Sequence, residues 1–292
     1  MGERAGRLPP GSSHTNVSDQ SPDRFLAMTY ATLLRPIALA CLGSALLFAP
    51  VLAPSGPTRI AVAATPASAD ERVLERSRYV FGWNGIPAAV AEFTLSLEVH
   101  EGRPVLHFEG NARTTEQVDF LWTMRDSVMA RTDARTFVPR RFELFRREND
   151  TRLDTVIVHD ERESKLRIER LKRGTLRKNS FPSRDLYDPI SAMLMLRSDA
   201  LSPGSSRKIR ITEGKRIYEL ALRVLARERI RLNDESVPTL KISIRYEALD
   251  GSSSEEDGIR STTLWVSDDD GHALLRMEAE SPLGVFFGER VS

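Results

Sequence analysis

The sequence predicts a mainly β protein: a single antiparallel sheet curled into a half-barrel or barrel around one short helix, after an N-terminal signal segment. Apolar and polar residues alternate with a period of two through most of the chain beyond Tyr79, as in strands with one buried face. Short polar turns separate these runs, and only one segment has clear helix end signals. About ten strands in one sheet must curl to bury their apolar face, and two packed sheets are the alternative.

The composition is that of an ordinary globular protein. The chain has 292 residues, of which 40% are hydrophobic and 28% charged, with a formal net charge of +1. A protein that coats nucleic acid would carry a basic excess on one face, so the balance argues against a nucleic-acid partner.

The N-terminal segment has the features of an export signal. Residues 1–27 are rich in Gly, Pro, Ser and charged residues, which predicts a disordered segment. Alternatively, translation starts at Met28 and residues 1–27 are not part of the protein. Residues 28–69 are predicted to be a signal peptide, because Arg35 precedes an apolar run and small residues follow at positions 67–69. Cleavage there leaves residues 70–292 as a single antiparallel β domain in the periplasm.

A membrane-anchored form is the alternative to cleavage. The apolar run from Pro36 to Ala53 is interrupted by Pro50 and is shorter than the roughly 20 residues that span a bilayer. The only cysteine, Cys41, lies within this run, so a cleaved chain can form no disulfide and has no thiol nucleophile.

Strands are predicted on both sides of the helix. The first strand includes Tyr79–Trp83, and the segment 84–87 is interpreted as a turn too long for a two-residue hairpin. The cleanest alternation is in the C-terminal half, where Leu275, Met277 and Ala279 are expected to share one face. The other predicted strands are at 93–99, 106–108, 142–146, 155–159, 166–171, 209–211, 217–224 and 239–246.

One helix is predicted to begin after Asp188, which can cap it, with Pro189 in its first turn. It is predicted to end before Leu201-Ser202-Pro203-Gly204. A shorter turn or helix is predicted around Val118 to Trp122, and the polar stretch 251–258 is interpreted as a surface loop.

Three patterns suggest a metal-binding or catalytic site, and each is better explained by a structural role of the residues. Asp268-Asp269-Asp270 resembles a calcium loop, but Val266 stands where an EF-hand needs an acid, so we interpret the run as a polar hairpin. Ser205 and Lys208 form an S-x-x-K sequence, yet they lead into a strand, where the two side chains lie on opposite faces. Arg125-Asp126 and Asp185 are expected to be structural charges.

The histidines of the mature chain form no metal-binding pattern, and two of them, His100 and His107, flank a turn. We expect no cofactor, no metal site and no catalytic residue. The aromatic residues carry the remaining indication of function, because inside a curled sheet they either line an apolar pocket or fill the core. The predicted pocket-lining residues are Tyr79, Phe81, Trp83, Trp122 and Trp265.

Three stretches carry a family resemblance. The segments 79–89, 188–192 and 264–284 resemble, in order and spacing, the opening, the helix start and the ending of the exported bacterial domain of unknown function DUF3108. Ala89 departs from the pattern, where Gly is common. The resemblance implies a periplasmic or outer-membrane-associated β-rich protein without an assigned reaction. By analogy at the level of the fold, we expect a shape similar to that of LolA/LolB-like carriers and lipocalin-like barrels.

The sequence therefore predicts a non-enzymatic envelope protein that binds or carries a lipid, a lipoprotein or another hydrophobic ligand, with transient membrane association. An envelope assembly or scaffold protein with a protein partner is the first alternative. A hydrolase with an unrecognised site around His107 or His159 is the second.

Overall fold

The structure is a computed structural model that describes residues 71–250, 261–281 and 284–292. The predicted signal segment and the polar loop at 251–258 lie outside the described residues. The described chain forms the following strands and helices: β1 (Arg72–Trp83), β2 (Ile86–His100), β3 (Arg103–Thr114), α1 (Glu116–Asp119), β4 (Arg125–Asp133), β5 (Pro139–Glu148), β6 (Thr151–Asp160), β7 (Lys165–Lys172), β8 (Thr175–Pro182), β9 (Leu186–Tyr187), α2 (Pro189–Arg197), β10 (Ser206–Thr212), β11 (Ile217–Leu232), β12 (Glu235–Ala248), β13 (Ser261–Ser267), β14 (Leu274–Ser281) and β15 (Gly284–Arg290).

All fifteen described strands belong to one nearly closed, barrel-shaped sheet, which confirms the predicted fold class. The order runs from β8 back to β1, continues through β15 and descends to β9. Neighbours pair antiparallel throughout, including β1 with β15, except that the short β9 pairs parallel with β10. The two edge strands of the sheet are therefore β8 and β9.

The helix α2 lies in the interior of the curled sheet, and all nine of its residues are buried. It begins as predicted: a side-chain oxygen of Asp188 accepts hydrogen bonds from the backbone N–H groups of Ile190 and Ser191. The hydroxyl oxygens of Ser191 and Thr132 are 2.8 Å apart, which joins the helix to β4. Around it pack the apolar faces of the strands, with the large side chains of Tyr79, Phe81, Phe108, Phe142 and Phe286.

The sheet has more strands than the sequence predicted. β4 was not predicted because two of its four buried positions, Asp126 and Thr132, are polar, which conceals the alternation. β8 was not predicted because it has an exposed side chain at every position except Phe181, so it has no apolar face to detect.

The interpretation of segment 84–87 as a longer turn was wrong. Asn84 and Gly85 alone form the turn, both with positive φ, and Ile86 pairs with Trp83. This is the two-residue hairpin geometry that Asn-Gly favours. A register irregularity between Phe81 and Gly82 and an exposed Ile86 hide the start of β2 from the pattern.

A second apolar cluster lies apart from the main core. Met277 and Ala279 belong to the main core with Leu274, whereas Leu275 belongs to the second cluster, so the expected shared face of Leu275, Met277 and Ala279 was wrong. The register shift between Trp265 and Val266 accounts for the change of face. The second cluster consists of Ile230, Leu232, Trp265, Ala273 and Leu275.

Candidate functional site

The structure distributes the five predicted pocket-lining aromatics over three places. Tyr79, Phe81 and Trp122 are buried in the main core, and Trp83 is half-buried at its margin. Trp265 belongs to the second cluster, where its indole N–H donates to Glu228 and the Lys241 ammonium lies 5.1 Å from the ring. Four of the five therefore contribute to one apolar interior, and Trp265 does not.

The sheet does not close between its two edges, which are β7–β8 on one side and β9–β10 on the other. We call the line between these edges the seam. The turn between β10 and β11 crosses the seam. A Cβ atom at Gly214 would lie 2.8 Å from Thr155 Cγ2 and 3.1 Å from Ile168 Cγ2, and Glu213 lies 3.9 Å from Arg170. The packing of the β10–β11 turn on these side chains and one ion pair thus hold the two edges of the sheet together.

A groove of about 340 Å³ follows the β9–β10 side of the seam, here called the seam groove. The apolar part of its lining is Tyr187, Met195 and Ile209, and Met195 belongs to the buried helix α2. The groove therefore reaches the margin of the apolar interior. Its charged lining residues are Asp185, Arg207, Lys208, Arg210 and Glu219.

Each cation of the groove has an acidic neighbour. Lys208 lies 2.5 Å from Glu219, which raises the pKa of the ammonium. Arg210 lies 3.8 Å from Asp185, and Arg207 lies 3.6 Å from Asp199. The Arg207 and Arg210 pairs are long and partly exposed, so an anionic group could replace either acid at little cost.

A buried ion pair lies at the C-terminal end of α2. Arg197 Nη1 is 3.5 Å from Glu75 Oε2, both side chains are almost fully buried, and Arg197 Nε donates to the carbonyl oxygen of Gly271. Burial raises the pKa of Glu75 to about 7, although Arg197 and Arg290 act in the opposite direction. Burial also lowers the pKa of Arg197.

The pattern of the sequence did not predict this pair. Glu75 shares its face of β1 with Ser77 and Tyr79, and two polar residues at the start of a strand do not suggest an inward face. A sequence signal exists for Arg197, because it closes the last turn of a helix that is apolar at most other positions. The pair fixes the helix to β1, and the hydroxyl group beside it is that of the buried Ser77.

The other candidate charges are structural. Asp126 is buried and accepts a hydrogen bond from the backbone N–H of Arg147, and burial raises the pKa of its carboxyl to about 6. Arg125 pairs with Asp119 and lowers the pKa of that carboxyl to about 2. Asp185 is exposed.

The aspartate run forms a polar turn as predicted, and the paired residues of the other two motifs do not contact each other. Asp268-Asp269-Asp270 lies in the turn between β13 and β14, where Asp269 accepts from Ser267, Gly271 and His272. The register places Ser96 opposite His107 and Arg103 opposite His100, so the two histidines do not meet. Lys208 pairs with Glu219, while the Ser205 hydroxyl donates to Ser202.

The described residues hold neither a metal-binding cluster nor a membrane-spanning helix. They contain no group of three or more His, Cys, Asp or Glu side chains arranged to hold a metal ion. Neither described helix is long and apolar enough to cross a bilayer.

Comparison with known proteins identifies a fold and a family. No curated protein matches the sequence. A beta-barrel-like protein with the domain of unknown function DUF1849 from Brucella abortus has a similar fold, with a TM-score of 0.51 and 10% identity over 74% of this chain and 95% of that one. A protein with a YmcC-like fold from Bacteroides fragilis aligns over 77% and 95%, but at 8% identity and a TM-score of 0.29. A family model for a protein of unknown function, DUF3108, matches residues 78–289, so the resemblance seen in the sequence is confirmed and the chain belongs to the DUF3108 family.

Proposed function

We propose that this protein is an exported, periplasmic, non-enzymatic protein of the cell envelope that binds a lipid or another hydrophobic ligand. The seam groove carries the proposal, because it is the place where the charged surface and the apolar interior meet. Its volume of about 340 Å³ is within the range of small-molecule sites.

The lining of the groove favours an amphiphile over a purely apolar ligand. Tyr187, Met195 and Ile209 offer an apolar surface for a chain, while either Arg207 or Arg210, which lie on opposite faces of β10, can bind an anionic headgroup. The main core around α2 is filled with side chains, so the ligand is expected at the seam and not at the centre of the sheet.

The same lining supports a binding role over an enzymatic one. None of the eight residues that line the groove is Ser, Cys, Thr or His, and its two acids, Glu219 and Asp185, are paired with Lys208 and Arg210. A nucleophile with an adjacent general base is the minimum for covalent hydrolysis.

The direct test is mass spectrometry of the protein made from the full chain in a Gram-negative host. A denatured mass that starts near residue 70 supports export with cleavage, whereas the intact mass favours an anchor. An additional lipid-sized mass under native conditions alone supports the binding proposal. Repeated preparations of ligand-free protein that also bind no fluorescent fatty acid would overturn it.

A double variant tests the location. Arg207→Ala with Arg210→Ala removes both loosely paired guanidinium groups, and we expect roughly tenfold or more weaker binding of an anionic fatty acid. Arg223→Ala with Arg245→Ala is the matched control, because both arginines are exposed on the neighbouring strands β11 and β12. Equal affinities of the two variants would place the ligand elsewhere.

An envelope scaffold that acts through protein contacts is the second candidate. The main core packed with side chains favours it. Crosslinking in the periplasm that captures one envelope partner at β8, together with ligand-free mass spectra, would support this candidate over the first.

A further inference from the structure

One end of the sheet carries an unusual set of exposed side chains. Because consecutive strands are antiparallel, every second connection lies at the same end. Between β1 and β8 these are the β1–β2 turn, the β3–β4 connection with α1, the β5–β6 turn and the β7–β8 turn, and the β10–β11, β12–β13 and β14–β15 connections start and finish at this end too. The connection with α1 and the β5–β6 turn are bonded together, since the Asn149 N–H donates to the Thr123 carbonyl oxygen. We call this the α1 end.

Large apolar side chains project from the α1 end into solvent. Phe120 is 79% exposed and its neighbour Leu121 is 52% exposed, directly after α1. Leu171 and Leu176 face each other across the β7–β8 hairpin, one pair behind its turn, and both are exposed. Ile86, beside the β1–β2 turn, is exposed as well. Exposed apolar groups that recur at one end of a protein indicate an interaction site.

The β7–β8 hairpin adds a strong positive charge to this end. Between residues 165 and 182 the chain has seven Lys or Arg and one acid, Glu169, whereas the whole chain has a net charge of only +1. Glu169 is occupied by Lys178, at 2.6 Å. Lys172, Arg173 and Arg177 surround the turn, are exposed, and have no ion-pair partner among the described residues.

The acids near these turns do not cancel the charge. Asp119 is paired with Arg125, and Glu213 lies near Arg170. Glu116 and Asp150 are the exposed acids of these connections that have no ion pair in the described structure. The hairpin is therefore a local cationic region on a chain that is net acidic elsewhere.

We infer that the α1 end is a docking surface for a lipid bilayer that contains anionic phospholipid. Lys172, Arg173 and Arg177 contact the phosphate groups, while Phe120 and Leu121 insert at the boundary between headgroups and acyl chains. This combination of cations with aromatic and aliphatic groups at one end of the sheet is the chemistry of interfacial membrane binding. Binding of another strand at the edge of β8 is less favoured, because exposed Lys and Arg along an edge oppose strand pairing.

This inference concerns the outer surface and does not depend on whether the seam groove holds a ligand. The test is cosedimentation of the mature protein with vesicles of phosphatidylcholine alone and with vesicles that also contain phosphatidylglycerol, at low and high salt. We expect binding only to the anionic vesicles, and weaker binding at high salt because the cations are screened.

Two variants with matched controls locate the surface. Lys172→Gln, Arg173→Gln and Arg177→Gln together should reduce the partition coefficient roughly a hundredfold. The control is Arg223→Gln, Arg229→Gln and Arg245→Gln, which removes the same charge from exposed positions on β11 and β12. Phe120→Ser with Leu121→Ser should reduce binding roughly tenfold or more, whereas Val73→Ser with Val99→Ser, exposed at the opposite end, should not.

Absence of binding to anionic vesicles, or equal losses for the α1-end variants and their controls, would overturn the inference. So would self-association that is abolished by the same hairpin variant without vesicles, since it would assign the hairpin to a protein contact. Circular dichroism spectra identical to wild type show that each variant is folded. Retention of fatty-acid binding by the triple hairpin variant would confirm that docking and ligand binding are separate properties.

Discussion

The two edges of the sheet, β7–β8 and β9–β10, are stabilised in different ways. At the β9–β10 edge, Leu186, Ile209 and Ile211 are buried against the interior. At the β7–β8 edge, β8 is held to β7 mainly by its backbone ladder, and Phe181 is its only side chain packed on the core. The β9–β10 edge is thus part of the hydrophobic core, whereas β8 is free to carry charge and exposed apolar groups without loss of stability.

The largest expected effect is a direct test of this difference. Ile211→Ala removes a buried side chain at the β9–β10 edge and should lower the free energy of unfolding by about 3 kcal/mol. Leu176→Ala removes an exposed side chain of β8 and should change it by less than about 0.5 kcal/mol. Urea denaturation of both variants measures the contrast. Similar losses would show that β8 is packed more tightly than its exposure indicates.

The next effect is a pH dependence that arises at the buried end of α2. Burial raises the pKa of Glu75 from 4.5 to about 7, so the folded protein binds a proton that the unfolded chain has lost over this range. This contribution to stability is complete below about pH 4.5 and is lost as the pH rises towards 7, by at most about 3 kcal/mol. Unfolding measured from about pH 5 to pH 8 should show the decline.

Glu75→Gln isolates that contribution. Its unfolding free energy should vary less with pH than that of wild type, because the amide does not titrate. Asp188 and Asp126, whose pKa values are raised by burial to about 6, remain in both proteins and so cancel in the comparison. Parallel pH profiles for the two proteins would mean that Glu75 does not titrate in this range.

A smaller effect is expected at the start of α2. Asp188→Ala removes the acceptor for the N–H groups of Ile190 and Ser191 and should cost about 1.5 kcal/mol in thermal or urea unfolding. Asp188→Asn keeps an oxygen at the same position and should cost clearly less. A loss as large for Asn as for Ala would assign the effect to the charge and not to the cap.

Sequence periodicity predicted the parts of the molecule in which side-chain burial determines the structure. The cap at Asp188 and the alternation in β11 and β12 were readable because each residue there acts locally or repeats with a simple period. β8 could not be predicted because nearly all of its side chains are exposed, so its sequence has no alternation of apolar and polar residues. The change of face at Leu275 depends on a bulge that leaves no local signature.

The candidate site was less predictable than the fold for a related reason. The seam groove combines Tyr187, Met195 and Arg207 from three different elements, and their proximity follows from how far the sheet curls. The aromatic residues proposed as pocket lining were chosen by residue type alone. Four of them do belong to one interior, but residue type does not specify whether that interior is filled.

The smallest expected effect concerns the contact that joins the two edges of the sheet. Gly214 and Gly204 both have positive φ, so Ala at either position should cost about 1 kcal/mol from backbone strain. At Gly204 a new Cβ meets nothing within 4 Å, whereas at Gly214 it would lie 2.8 Å from Cγ2 of the buried Thr155. Gly214→Ala should therefore be less stable than Gly204→Ala by about a further 1 kcal/mol in urea unfolding. Equal stabilities would show that the packing of Gly214 on Thr155 does not hold the two edges of the sheet together.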